Sequence, residues 1–113
     1  MKVALILAAL AAAIAIPVAS AGSTLNGTVG PGFSITLTQG GKKVTTLKAG
    51  KYTLVVNDKA SIHDFHLTGP GVNKTTSVSG KGTQTWKVTL KKGTYKYMCD
   101  PHASFMHGSF KVT

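Results

Sequence analysis

Tyr95-Lys96-Tyr97-Met98-Cys99-Asp100-Pro101-His102-Ala103-Ser104-Phe105-Met106-His107-Gly108-Ser109-Phe110 decides how the chain is read. Tyr95, Tyr97 and Cys99 alternate with Lys96 and Met98, the period of a strand with one buried face. The strand ends in the only cysteine, and a short loop then presents His102 and Met106 before Gly108 opens another strand. A thiolate, an imidazole and a thioether in one loop form a soft donor set. Such a set suits copper rather than a hard cation, in the arrangement of two histidines, one cysteine and a weak axial methionine. The second histidine must come from a distant part of the chain. The alternative reading of the loop is a buried cysteine at a strand end with a histidine and a methionine near it by chance.

The sequence upstream predicts short strands separated by Gly, Pro, Asn and Asp clusters, with no helical periodicity. Residues 24–28 read as a first edge strand. After Gly30-Pro31-Gly32, Phe33, Ile35 and Leu37 alternate with small polar residues. A short strand follows over 44–47, and another over 51–57 places Tyr52, Leu54 and Val56 on one side. Residues 62–67 form a brief strand with His63 and His66 on opposite faces. Residues 72–82 read as an exposed connection with a weak strand over 75–78. Trp86, Val88 and Leu90 mark the next strand, and 109–112 the last. Seven or eight such strands argue for an all-β Greek-key sandwich of two sheets. The strand ends of a sandwich meet, so His63, at a loop-to-strand junction, is preferred over His66 as the missing ligand, with His66 as an outward or edge residue.

Residues 1–21 have the form of a cleaved signal peptide: Lys2, an apolar run, then Ala19-Ser20-Ala21. An uncleaved membrane anchor is the competing reading. The remaining 22–113 make one small domain, of a size that often needs a disulfide or a metal. A single cysteine allows no internal disulfide, and in an oxidising setting a metal-bound thiolate gives it a role.

All 13 basic residues are lysines, against Asp58, Asp64 and Asp100 alone. Removing Lys2 with the leader changes the formal charge of +10 to +9. Such a field favours acidic partners or an anionic membrane surface, and weakens with salt. Nucleic acid is disfavoured by the leader and by the absence of arginine.

The motifs His63-Asp64-Phe65-His66-Leu67, Gly93-Thr94-Tyr95-Lys96-Tyr97-Met98-Cys99-Asp100-Pro101-His102 and Met106-His107-Gly108 resemble those of the blue-copper cupredoxins, nearest the plastocyanin, pseudoazurin and amicyanin group. The resemblance spans essentially the whole of 22–113. It implies a cupredoxin-like sandwich with one type 1 copper held by His63, Cys99, His102 and Met106, with His107 as the competing axial candidate. It implies one-electron transfer between redox partners outside the cytoplasm, periplasmic or extracellular, by a monomer that is not an enzyme. Acidic redox proteins such as cytochromes or copper and haem enzymes are the partners expected. Electrons would leave through His102, within an apolar rim to which Pro101, Ala103 and Phe105 contribute. Two positions beside the ligands matter. The family has Asn after the first ligand where this chain has Asp64, which when ionised accepts hydrogen bonds but donates none. Pro101 removes a backbone donor near the sulfur, where hydrogen bonding tunes the potential.

Other classes fit less well. An exported copper carrier or storage protein would use similar ligands without redox cycling. A thiol enzyme would need an electropositive cleft or helix N-terminus beside Cys99. Zinc lacks a fourth good donor. The copper oxidases and nitrite reductases that share the fold rely on further domains and histidine clusters that this chain lacks.

Overall fold

The computed structural model describes residues 23–113. The expected leader lies outside the described residues. Ten strands form: β1 (Thr24–Val29), β2 (Ile35–Gln39), β3 (Lys42–Lys43), β4 (Thr46–Leu47), β5 (Gly50–Asp58), β6 (His66–Gly69), β7 (Val72–Thr75), β8 (Gly82–Leu90), β9 (Gly93–Met98) and β10 (His107–Val112). Eight of them have four residues or more, matching the upper expected number, and β3 and β4 have two each. They make two five-stranded sheets, in the orders β3-β2-β1-β5-β8 and β4-β10-β9-β6-β7.

Period-two burial places the core between the sheets. Tyr52, Leu54 and Val56 of β5 face Tyr95 and Tyr97 of β9, together with Trp86, Val88, Leu90 and Phe110. Aromatic rings fill the space in ordered contact: Phe65 stacks on Tyr97 at 5.8 Å between centroids, and Tyr95 on Phe110 at 5.3 Å. The Tyr95 hydroxyl donates to the Pro70 carbonyl at 2.7 Å and accepts from the Lys91 N–H at 2.8 Å. The buried phenol is thereby satisfied, and the β6–β7 turn is tied to the turn before β9.

Several local expectations change. The strand at 24–28 is not an edge strand: β1 lies in the middle of its sheet, antiparallel to β2 and parallel to β5. Of the strand expected over 44–47 only β4 forms, because the chain leaves one sheet at β3 and enters the other at β4, with buried Val44 at the crossing. The strand expected over 62–67 begins only at His66, so His63 sits in the preceding loop. The weak strand expected over 75–78 is β7, three residues earlier, paired with β6. Beyond it Thr76 is buried: it accepts the Phe65 N–H at 2.9 Å, and its hydroxyl lies 3.4 Å from Asp58 Oδ2. These bonds fasten the His63 segment to the ends of β5 and β7, which is why a stretch rich in Ser, Thr and Lys carries a core residue.

Candidate metal centre

Two segments build the centre, and each is held by its own backbone. Cys99 leaves β9 with its N–H donating to the Met106 carbonyl at 3.0 Å, so the loop closes on itself where β10 begins. Within it Asp100–His102 form one turn of 3-10 helix, with Pro101 at its start. The His102 N–H donates to the Cys99 carbonyl at 3.0 Å and the Met106 N–H to the His102 carbonyl at 2.8 Å. The other segment runs from β5 to β6. The Lys59 N–H donates to the Val29 carbonyl at 2.9 Å, and Gly30, at φ 75°, lies against the His63 ring. A Cβ at residue 30 would stand 3.0 Å from His63 Cδ2, so the absence of a side chain there is what lets the β1–β2 loop cover the ring.

His63, Cys99 and His102 converge. Cys99 Sγ is 3.6 Å from His63 Nδ1 and 3.5 Å from His102 Nδ1, and the two nitrogens are 3.3 Å apart. A triangle with these sides has its centre about 2.0 Å from each corner, matching metal–nitrogen bonds and within a few tenths of an ångström of a metal–sulfur bond. These three form the one His/Cys/Asp/Glu cluster with metal-binding spacing among the described residues. His63 and Cys99 are fully buried, whereas His102 is half-buried. His63 Nε2 is buried with no hydrogen-bond partner among the described residues, so no bond at that nitrogen draws the ring away from the cluster. Met106, 1% exposed, closes the same loop. His107, the rival axial candidate, is exposed at the start of β10.

The sequence pattern described as copper binding proteins, plastocyanin/azurin family, matches residues 32–113. The chain belongs to this family. Its fold is shared with solved cupredoxins. Reduced rusticyanin at 1.9 Å superposes with a TM-score of 0.59 and 23% identity, over 84% of this chain and 83% of that one. The 1.27 Å rusticyanin from Thiobacillus ferrooxidans gives 0.56 and 24%, over 82% and 79%. Reduced rusticyanin determined by NMR gives 0.55 and 22%, over 80% and 76%. No curated protein sequence gives a significant match. The chain is thus a blue copper cupredoxin, and a thiolate with two imidazoles is the donor set that copper takes in such proteins.

Electrostatics in this cupredoxin follow from burial. Burial pushes the Cys99 thiol up, opposed in part by the backbone N–H groups of Asp64 and His102. Metal must therefore displace a proton from sulfur. Copper uptake is expected to release that proton into an unbuffered solution and to weaken as pH falls, which a pH-stat titration measures; affinity independent of pH would show that Cys99 is not a ligand. In the metal-free fold Cys99 is an acid raised by burial. Stability is intact below the ordinary thiol range and is lost as pH rises through the folded value, with the buried Tyr52 and Tyr97 phenols acting in the same direction.

Asp64, where the family has Asn, pins the two ligand segments together as an acceptor. Its Oδ1 accepts the Asp100 N–H at 2.6 Å, which ties the His63 segment to the Cys99 loop, and its Oδ2 accepts from the Thr75 hydroxyl at 3.2 Å. Burial and the neighbouring Asp100 carboxyl raise Asp64, while contact with Asp64 and His66 lowers Asp100. Asp100 therefore ionises first of the two.

Pro101 and Phe105 are exposed and Ala103 is half-buried, beside His102. Two apolar neighbours of the site stand where strands were expected: Phe33, placed in alternation with Ile35 and Leu37, lies before β2, and Ile62, placed at the start of the strand over 62–67, lies in the loop before β6. Phe33, 61% exposed, packs edge-on against both histidines, 5.4 Å from the His63 ring and 5.1 Å from the His102 ring, and 6.0 Å from Phe105. Ile62, 52% exposed, adjoins His63 in the chain.

Proposed function

We propose that this cupredoxin is an exported, monomeric one-electron carrier, periplasmic or extracellular, that receives and delivers electrons through His102. The observation that carries the reading is a buried triangle of thiolate and imidazole donors with one half-exposed imidazole set among exposed phenylalanines. Bound copper supplies a couple that gains and loses a single electron.

The residues divide the remaining work. Cys99 provides the thiolate, and His63, fully buried, provides a nitrogen that water does not reach. Met106 would supply a weak thioether donor to the metal, since its side chain is buried in the ligand loop, whereas His107 is exposed. Both ligand segments are tied to strands of a packed sandwich, so the donors stay in place while the charge of the site changes. His102 would hold the metal with Nδ1, and its ring lies 5.1 Å from Phe33 and 5.7 Å from Phe105. An apolar contact here excludes water and lets a partner's centre approach the ring.

The lysines act at longer range. Lys51, Lys74, Lys87 and Lys91 line two adjoining depressions along β5, β7 and β8, and Asp58, Asp64 and Asp100 all lie at the metal end. The partners proposed are acidic redox proteins such as cytochromes or copper and haem enzymes, with an anionic membrane surface as a further site of attachment.

Voltammetry of the copper-loaded protein tests the reading. A reversible one-electron wave is expected. Phe105→Glu should leave the visible spectrum unchanged while slowing exchange with a protein partner, and that exchange should slow further as salt is raised. Absence of a reversible wave together with rapid copper loss to a chelator would instead mark a copper carrier.

A further inference from the structure

We propose that His66 is a positioning residue for the metal loop: it holds the Asp100 carboxylate, and with it the turn that carries Cys99 and His102, against strands β6 and β7. The inference rests on the copper reading of the site but concerns a residue that does not reach the metal.

His66 opens β6, where it pairs with Met98 of β9 on one side and Thr75 of β7 on the other. Its backbone is thus fixed within the sheet. Its Nδ1 lies 2.9 Å from Asp100 Oδ2 and 3.0 Å from Oδ1, so one N–H serves both carboxylate oxygens. The other ring nitrogen meets Asn73 Oδ1, on β7, at 2.7 Å. With both nitrogens engaged the ring cannot turn. Asp100 in turn stands between the two ligands of the loop, and its N–H donates to Asp64, the neighbour of His63. One side chain on a strand therefore braces the residue that joins both ligand segments.

Removing the ring has a predictable local effect. The Asp100 carboxylate loses the donor that ties it to β6 and, through Asn73, to β7. At Asp100 the turn between Cys99 and His102 then keeps its N–H bond to Asp64 but loses its side-chain tie to the sheet, and is loosened. Residues in this supporting position around metal ligands change affinity by about 10- to 100-fold when removed.

The test compares His66→Ala with His66→Gln, whose amide N–H can still donate to Asp100. In the metal-free protein, His66→Ala should speed backbone amide exchange at Asp100, His102 and Met106 while leaving β1 and β5 protected. In the copper-loaded protein it should release copper to a chelator about 10- to 100-fold faster and shift the visible band. His66→Gln should stay close to the parent in both. Unchanged exchange, release and spectrum in folded His66→Ala would overturn the proposal, as would equal damage in the two variants. Should His66→Ala fail to fold, Asn73→Ala is read instead: it frees one side of the ring, so faster exchange at Asp100 supports the clamp and parent-like exchange refutes it. Because amide exchange is read without metal, failure of the clamp and failure of the copper assignment give different results.

Discussion

Cys99→Ser is expected to abolish the coloured copper complex and lower copper affinity by orders of magnitude, while the metal-free fold survives. Serine removes the soft anionic donor and leaves two imidazole nitrogens 3.3 Å apart, a pair that binds copper without a thiolate-to-metal transition. The side chain is fully buried at the end of β9, and the exchange of sulfur for oxygen costs little volume. The hydroxyl can donate within the space between His63 and His102, so the cost to the metal-free protein is small beside the loss of the ligand. Thermal melts separate the two effects. The parent should gain about 2.7 kcal/mol at copper concentrations 100-fold above its dissociation constant. Cys99→Ser should gain almost nothing at the same concentration. Equal stabilisation of the two proteins by copper would show that the thiolate is not the anchor.

The second large effect belongs to the fold rather than the donors. Gly108 of β10 lies directly opposite Tyr97 of β9. A Cβ there would stand 2.3 Å from Tyr97 Cζ and 2.4 Å from its hydroxyl. The ring cannot retreat, because its other side is stacked on Phe65 at an interplanar angle of 3°. Gly108→Ala is therefore expected to cost about 3 kcal/mol or more, at the upper end of overpacking effects. Gly32→Ala is the control: nothing lies within 4 Å of the added methyl, and a surface change of this kind should stay within about 0.5 kcal/mol. Denaturant midpoints of the metal-free proteins measure both. Similar midpoints for the two variants would mean that Tyr97 yields to the added methyl despite its stack on Phe65.

What the sequence made legible was local. The alternation of Tyr95, Tyr97 and Cys99 reports a buried strand face, and the structure buries all three. Cys99 and His102 meet because a single turn of helix separates them, so their spacing carries the geometry. His63 could be chosen over His66 because a residue delivered by a loop can reach the end of the sandwich, although the loop extends further than its apolar residues suggested. Information that depends on distant partners was hidden. Alternation in residues 24–28 shows which side chains turn inward, but not that β5 lies on one flank and β2 on the other. Phe33 and Ile62 look like strand residues in the sequence but stand in loops, because an apolar side chain does not mark where a strand begins. His66 looked like an edge residue because its role is set by Asp100, 34 positions away, and Thr76 because hydroxyl-rich segments are ordinarily solvated.

The most direct test of the central claim is a titration of the protein with Cu(II), followed in the visible. An intense thiolate-to-copper band that saturates at one equivalent, is lost in Cys99→Ser and His63→Ala, and survives in His66→Ala is the predicted result. A protein that stays colourless, or whose colour is lost with His66 and kept without His63, would contradict the assignment of the metal centre.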